Sequence, residues 1–157
     1  MQKLSTCLWF NGNAEEAVDF YTSIFRNSKK GKISRYGEGA PMPKGTVMVA
    51  GFELLGHEFM ALNGGPQFSF TPAISLVVYC DTQEEIDDYW TKLTSGGKEV
   101  QCGWLTDKFG VSWQIVPNAL SELMSNKDSV KTQRVMRALL QMIKLDIQKL
   151  QDAANEK

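Results

Sequence analysis

CGWLTDKFGVSWQIVP, residues 102–117, is the stretch that decides the fold. It predicts a short strand, a turn at Asp107-Lys108-Phe109-Gly110, and a closing strand from Val111 to Val116. Pro117 ends the pairing because proline has no N–H for a ladder hydrogen bond. Outward from this hairpin, the chain alternates between apolar strand-like runs and capped helical segments.

Length and composition indicate an ordinary globular chain. It has 157 residues, of which 43% are hydrophobic and 22% charged, so it forms one domain or two small modules that share a core. A net charge of −1 gives no electrostatic case for nucleic acid or an anionic membrane as a partner. No apolar run has the length of a signal peptide or a membrane span, which predicts a cytoplasmic protein. Three scattered cysteines without a C-x-x-C pair predict reduced thiols.

The two halves of the chain repeat one pattern. An apolar strand, Leu4 to Phe10 or Ala73 to Cys80, precedes each helix. Predicted capping boxes then start the helices, Asn13 with Glu16 and Thr82 with Glu85. A shift of 69 residues superposes the helices and aligns Thr6 with Ser75 and Phe10 with Tyr79, and a shift of 54 aligns Met60 with Gln114. Each half therefore reads strand, helix, three strands, and two such modules would cover each other and close a cup.

The last 39 residues are predicted to be helical. A short helix covers Ala119 to Asn126, and Asp128 or Ser129 caps a longer one that runs to about Asp152 with one apolar side. We expect residues 1–118 to form a single domain of two modules, about 1–65 and 72–118, and residues 119–157 to form a C-terminal helical extension. That extension would pack on its own domain or on a partner chain.

Two motifs resemble those of a known family. They are Leu8-Trp9-Phe10-Asn11-Gly12-Asn13-Ala14-Glu15-Glu16-Ala17, and the hairpin of residues 102–117. The chain is similar to the PhnB-like branch of the vicinal oxygen chelate superfamily, whose members often carry the label 3-demethylubiquinone-9 3-methyltransferase. The resemblance implies an α+β fold in which two βαβββ modules form a cup-shaped mixed sheet. It also implies a homodimer.

The resemblance points to a metal site that this chain does not fill. Members that use a metal carry its ligands on the first, fourth, fifth and eighth strands, which here correspond to Thr6, Met60, Ser75 and Gln114. None of these is anionic or an imidazole, so the set is poor for a divalent ion. His57, the single histidine, falls in a predicted turn. We therefore expect no metal and no cofactor. The strand-to-helix turns are not glycine-rich, which argues against S-adenosylmethionine binding.

Strand alternation nominates the residues that would line the cup. Thr6, Leu8 and Phe10 share one predicted face, and Ser75, Val77 and Tyr79 share the matching one. The candidate ligand contacts are Thr6, Leu8, Met60, Ser75, Tyr79, Trp104 and Gln114. Cys7 and Cys80 alternate to the opposite faces, against the helices, and Asp107 and Lys108 are predicted to be simple turn residues.

Three functions are compatible with this lining. The first is binding of a small apolar or aromatic molecule without a metal. The alternative is an enzyme of the same superfamily, an isomerase, lyase or dioxygenase, with an unrecognised metal site. The third is a structural module whose cup is filled by its own side chains.

Overall fold

The computed structural model describes residues 3–156. The chain divides into two compact units, Met1–Phe70 and Thr71–Lys157, and each contains one four-stranded sheet with a helix. The predicted α+β class and the order strand, helix, three strands are confirmed in both halves. None of the helices within the described residues has the length and hydropathy needed to traverse a lipid bilayer.

The first unit contains β1 (Thr6–Phe10), α1 (Ala14–Ile24), β2 (Ser28–Arg35), β3 (Val47–Leu54) and β4 (His57–Asn63). The strand order is β1-β4-β3-β2, with β1 parallel to β4 and the other pairs antiparallel. Helix α1 covers one face of this sheet, where Tyr21 is fully buried and stacks on Phe52 with ring centroids 6.0 Å apart. Phe52 in turn stacks on Phe59 at 5.0 Å. The other face of the sheet is open.

The second unit contains β5 (Ser75–Cys80), α2 (Gln83–Leu93), β6 (Lys98–Glu99), β7 (Trp104–Thr106) and β8 (Ser112–Pro117). Its strand order is β5-β8-β7-β6, with β5 parallel to β8. The face covered by α2 carries the buried side chains of Val78, Trp113 and Ile115. The opposite face carries Val77 and Tyr79, which are exposed.

The two helices begin differently. Thr82 caps α2 as predicted: its hydroxyl accepts the Glu85 N–H at 3.2 Å, and the Glu85 carboxylate accepts the Asp81 N–H at 2.7 Å. The predicted cap at Asn13 is wrong, because the Asn13 side chain makes no capping hydrogen bond. Instead the Ala14 N–H donates to Oδ1 of Asn63 at 3.0 Å. Asn63 is buried and also donates to the Val47 carbonyl at 3.1 Å, so one amide satisfies both groups.

Asp107 does more than form the predicted turn. Its side chain is only 3% exposed, and its Oδ1 accepts the backbone N–H groups of Phe109 at 2.9 Å and Val111 at 3.0 Å. Its Oδ2 accepts the indole N–H of Trp113 at 2.8 Å. One buried carboxylate therefore fixes the turn and anchors it to β8.

The C-terminal extension contains α3 (Asn118–Met124), α4 (Ser129–Leu140) and α5 (Ile147–Asn155). Asp128 caps α4 as predicted, but the predicted single helix to Asp152 is wrong, because the chain leaves the helix after Leu140. Asp146 caps a new helix by accepting the Lys149 N–H at 3.0 Å. We call residues 141–147 the clamp segment, since its backbone and side chains bind the body of the second unit.

The clamp segment closes over the turn that precedes β7. The carbonyls of Met142 and Ile143 accept the N–H groups of Cys102 and Gly103 at 2.8 and 2.7 Å, and Leu145 is 1% exposed beside Gly103.

The clamp segment also binds the first turns of α2. The Gln83 amide donates to the Leu145 carbonyl at 3.1 Å and accepts the Ile147 N–H at 2.9 Å. Lys144 pairs with Asp87 at 2.5 Å. Together with a buried cluster of Val135, Leu150 and Ala154, these contacts show that the apolar side of the extension packs on its own chain.

Candidate functional site

The register of the first sheet places three predicted cup residues on the wrong face. Thr6 pairs with Phe59, and Phe59 pairs with Phe52, which lies under α1. Neighbouring residues in register share a face, so Thr6, Leu8 and Phe10 also face α1. Leu8 is 6% exposed and Phe10 2%. The prediction that these residues line an open cup is wrong.

The error comes from a one-residue difference between the two halves. The helices follow a shift of 69, since α1 begins at Ala14 and α2 at Gln83. The strands follow a shift of 70: Met60 pairs with Cys7 in the first unit, and the equivalent Gln114 pairs with Val77 in the second. The connection before α1 is one residue longer, and a slip of one residue turns a strand over.

Cys7 and Trp9 therefore occupy the open face of the first sheet. Cys7 is exposed, so its predicted packing against the helix is wrong, whereas Cys80 is buried beneath α2 as predicted. Burial raises the pKa of the Cys80 thiol to about 12, and partial burial raises that of Cys7 above its usual value. Aligning Trp9 rather than Phe10 with Tyr79 gives the correct shift of 70.

The open face of the first sheet contains a depression of about 550 Å³. Met60 lines it, although its contact with a ligand stays a prediction, and Gly51 lies next to Met60 in register. On the other side of Gly51 the edge strand bulges at Gly31 and Lys32. A Cβ at Gly31 would come within 3.1 Å of the Gly51 backbone, so this glycine permits the close approach of the two strands.

One end of the depression is charged. Lys29, Glu53 and Glu58 lie side by side on β2, β3 and β4. The Lys29 ammonium binds the Glu53 carboxylate at 2.8 Å, and this hydrogen bond raises the pKa of Lys29. The other end is apolar, with Val49 beside Leu62. The depression is therefore amphipathic.

Four predicted ligand contacts lie together on the open face of the second sheet. Gln114 pairs in register with Trp104, and the face continues through Ser75 and Tyr79 on β5. The Gln114 amide donates to the Ser75 hydroxyl at 2.9 Å. Tyr79 is 66% exposed, so this face is not filled by its own side chains. Whether these residues bind a ligand stays a prediction.

His57 does not reach either open face. It begins β4 on the side covered by α1, where its Nε2 lies 3.0 Å from the Thr6 hydroxyl and its ring meets the Phe59 ring edge-on at 4.7 Å. The side chain is exposed to solvent. As a general base it would act at the solvent-exposed start of an interior strand, on the face opposite Met60.

The donor groups at the predicted ligand positions do not fit a divalent metal. In the first sheet, Cys7, which takes the place of Thr6, and Met60 offer a thiol of raised pKa and a thioether. In the second, Ser75 and Gln114 offer an uncharged hydroxyl and an amide that already bond each other. Divalent metals are usually held by carboxylates, imidazoles or deprotonated thiols, and none of these four groups is a carboxylate or an imidazole. Among residues 3–156, no group of three His, Cys, Asp or Glu side chains is arranged to hold a metal.

Comparison with known proteins identifies relatives. A family model described as 3-demethylubiquinone-9 3-methyltransferase matches residues 2–116. A PhnB protein from Bacillus cereus with the same description is 46% identical, over 74% of this chain and 99% of that one, with a TM-score of 0.68. A search of curated proteins found no match.

Two more distant structures share the fold alone. PA1353 from Pseudomonas aeruginosa is 22% identical over 74% of this chain and 98% of that one, with a TM-score of 0.62. The fosfomycin resistance protein FosX from Listeria monocytogenes is 16% identical over 78% and 97%, with a TM-score of 0.53. Taken with the match over residues 2–116, the 46% identity shows that this chain belongs to the PhnB-like 3-demethylubiquinone-9 3-methyltransferase family.

Proposed function

We propose that this protein binds small molecules with an apolar or aromatic body, without a divalent metal, and that the open face of each sheet is by itself a candidate binding surface. The observation that carries the proposal is the depression of about 550 Å³ over Gly51. Its volume falls in the range of roughly 300–1,000 Å³ typical of ligand pockets. A structural module would fill this space with side chains, whereas here two of the lining residues, Gly31 and Gly51, have none.

The open face of the second sheet supports the same proposal. The Trp104 ring lies beside Gln114 in register and offers a flat apolar surface. Because the Ser75 oxygen accepts the Gln114 amide, the Ser75 hydroxyl proton is free to donate to a ligand, and the Gln114 carbonyl oxygen can accept from one. An apolar wall with a few oriented polar groups is typical of small-molecule sites.

Methyl transfer is not part of the proposal, although the family description names it. S-adenosylmethionine sites of the usual fold need a glycine-rich turn between a strand and a helix of a parallel sheet. The turns here are Asn11-Gly12-Asn13 and Asp81-Thr82, which contain one glycine and none. In each sheet one strand pair is parallel and two are antiparallel.

We also propose that the protein is a cytoplasmic homodimer. The three cysteines are free, which suits a reducing compartment. The apolar side of the extension is buried in its own unit only in part, since Met136, Leu140 and Ile143 are 39%, 54% and 49% exposed. Family membership and this exposed apolar surface support the dimer. Light scattering tests the proposal, and a monomer mass at about 10 µM would contradict it.

Native mass spectrometry joined to elemental analysis of untagged protein tests the binding proposal first. We expect less than one divalent ion per chain and a co-purified small mass. One tightly held ion per chain would contradict the metal-free site. Gly51→Val should fill the depression and abolish melting shifts caused by added aromatic ligands. Gly37→Val is the matched control, since a Cβ at Gly37 meets no atom within 4 Å.

A further inference from the structure

The open face of the second sheet carries a row of polar residues at one end. In register across the four strands lie Ser75, Ser112, Thr106 and Lys98, which we call the hydroxyl row. Ser75 and Thr106 are half-buried, Lys98 is exposed, and Ser112 is buried between them at 3% exposure. The next row on the same face holds Val77, Gln114 and Trp104. Polar and apolar groups are thus sorted into neighbouring rows.

The equivalent row of the first sheet has the opposite chemistry. Register there aligns Glu58, Glu53 and Lys29, so two carboxylates replace Ser112 and Thr106. The Lys29 ammonium is already bound to Glu53 at 2.8 Å. An anion placed on this row would meet two carboxylates and a lysine that is already paired.

The hydroxyl row lacks that competition. The half-buried hydroxyls of Ser75 and Thr106 are neutral groups that can donate hydrogen bonds to an oxyanion. Within the part of the chain that the structure describes, Lys98 makes no ion pair with a carboxylate. Neighbouring strands lie about 4.8 Å apart, so the flexible Lys98 side chain can bring its ammonium over Thr106. The Ser75 oxygen accepts a hydrogen bond from the Gln114 amide, so the Ser75 hydroxyl proton can be donated to another group.

We propose that the hydroxyl row binds the carboxylate of an amphipathic organic acid whose apolar or aromatic body lies on Val77 and Trp104. This inference rests on the proposed small-molecule binding and adds the charge and the orientation of the ligand. Charge-assisted hydrogen bonds to the carboxylate are about twice as strong as neutral ones, so the row selects an acid over its neutral isostere. The Glu53 and Glu58 carboxylates on the equivalent row of the first sheet would repel the same acid, so we expect it to bind the second sheet.

The test compares two probes of equal shape, 1-naphthoate and 1-naphthamide, by isothermal titration calorimetry at pH 7. We expect the wild-type protein to bind the acid about tenfold more tightly than the amide. The preference should shrink when salt rises from about 0.05 to about 0.5 M, because the Lys98 ammonium is exposed and easily screened. Lys98→Gln should remove most of the preference, and Thr106→Val should reduce it.

Lys92→Gln is the matched control, because Lys92 is an exposed lysine of the same unit that lies on α2 and is already paired with Asp88 at 2.7 Å. It should leave the preference for the acid unchanged. Equal binding of acid and amide by the wild type, or an equal loss in Lys98→Gln and Lys92→Gln, would overturn the inference while the proposed function stands. Failure of both probes to bind at about 1 mM would overturn both.

Discussion

Asp107→Asn tests whether one buried carboxylate holds the hairpin that decides the fold. The substitution keeps an oxygen that can serve Phe109 and Val111, which now bind Oδ1 at 2.9 and 3.0 Å. It replaces Oδ2, the acceptor of the Trp113 indole N–H at 2.8 Å, with an amide NH₂. Two buried donors would then face each other. Losing a hydrogen bond to a charged group costs about 1.5–3 kcal/mol, so we expect the free energy of unfolding to fall by about 2–4 kcal/mol.

A double-mutant cycle separates the loss of the Asp107–Trp113 hydrogen bond from a general loss of packing. In Trp113→Phe the indole donor is absent, so Asp107→Asn should cost about 1.5–3 kcal/mol less in that background than in the wild type. Urea unfolding followed by far-ultraviolet circular dichroism measures each free energy without relying on tryptophan. Asp88→Asn, on an exposed helix face, should change stability by less than about 0.5 kcal/mol. A coupling energy near zero would refute the assignment of Asp107 Oδ2 to Trp113.

Three other predictions concern the second unit and the thiols. Iodoacetamide at pH 8 should modify exposed Cys7 well before Cys80, whose pKa of about 12 and burial keep it protonated, as peptide mass spectrometry would show. The hydrogen bond from Lys144 lowers the pKa of Asp87 in the folded protein. The pair therefore stabilises the fold fully above the pKa that Asp87 has in the unfolded chain, and this stabilisation is lost as the pH falls through its pKa in the folded protein. The wild-type protein should lose stability between pH 7 and pH 3, and Lys144→Gln should lose less, by a difference of under about 1 kcal/mol. Urea midpoints measured across this pH range give both values. Gly103→Ala should cost about 2–4 kcal/mol, because φ is +80° and the new Cβ would lie 2.9 Å from a carbonyl oxygen of the facing strand; an unchanged urea midpoint would contradict this.

Local patterns predicted the elements and most of their ends. The period of apolar residues and the glycines between segments located the strands and helices, and the Thr82 cap follows from residues three positions apart. The open face of the second sheet was predicted because β5 and β8 keep their smaller and polar residues on one side. The Thr82 cap and the open face of the second sheet both depend on residues that are close together in the sequence, so a single sequence is enough to predict them.

The face of β1 could not be predicted in the same way. Cys7 to Phe10 are all apolar, so alternation gives no preference for either side. Trp9 is held on the open side by a hydrogen bond from its indole N–H to Gly65, 56 positions away. The cap from Asn63 and the buried bonds of Asp107 likewise depend on partners or burial that only the folded chain supplies.

The clamp segment also imposes an order in time on the growing chain. Cys102 and Gly103 find their carbonyl partners at Met142 and Ile143, about 40 positions later. At a synthesis rate of roughly 5–20 residues per second, those partners appear about 2–8 s after the turn itself. Until then the apolar surface beside Gly103, which Leu145 covers in the folded protein, stays exposed on the nascent chain. A chain that ends within α4 would therefore have the hairpin without its closing apolar contact, and exposed apolar surface of this kind is what chaperones bind.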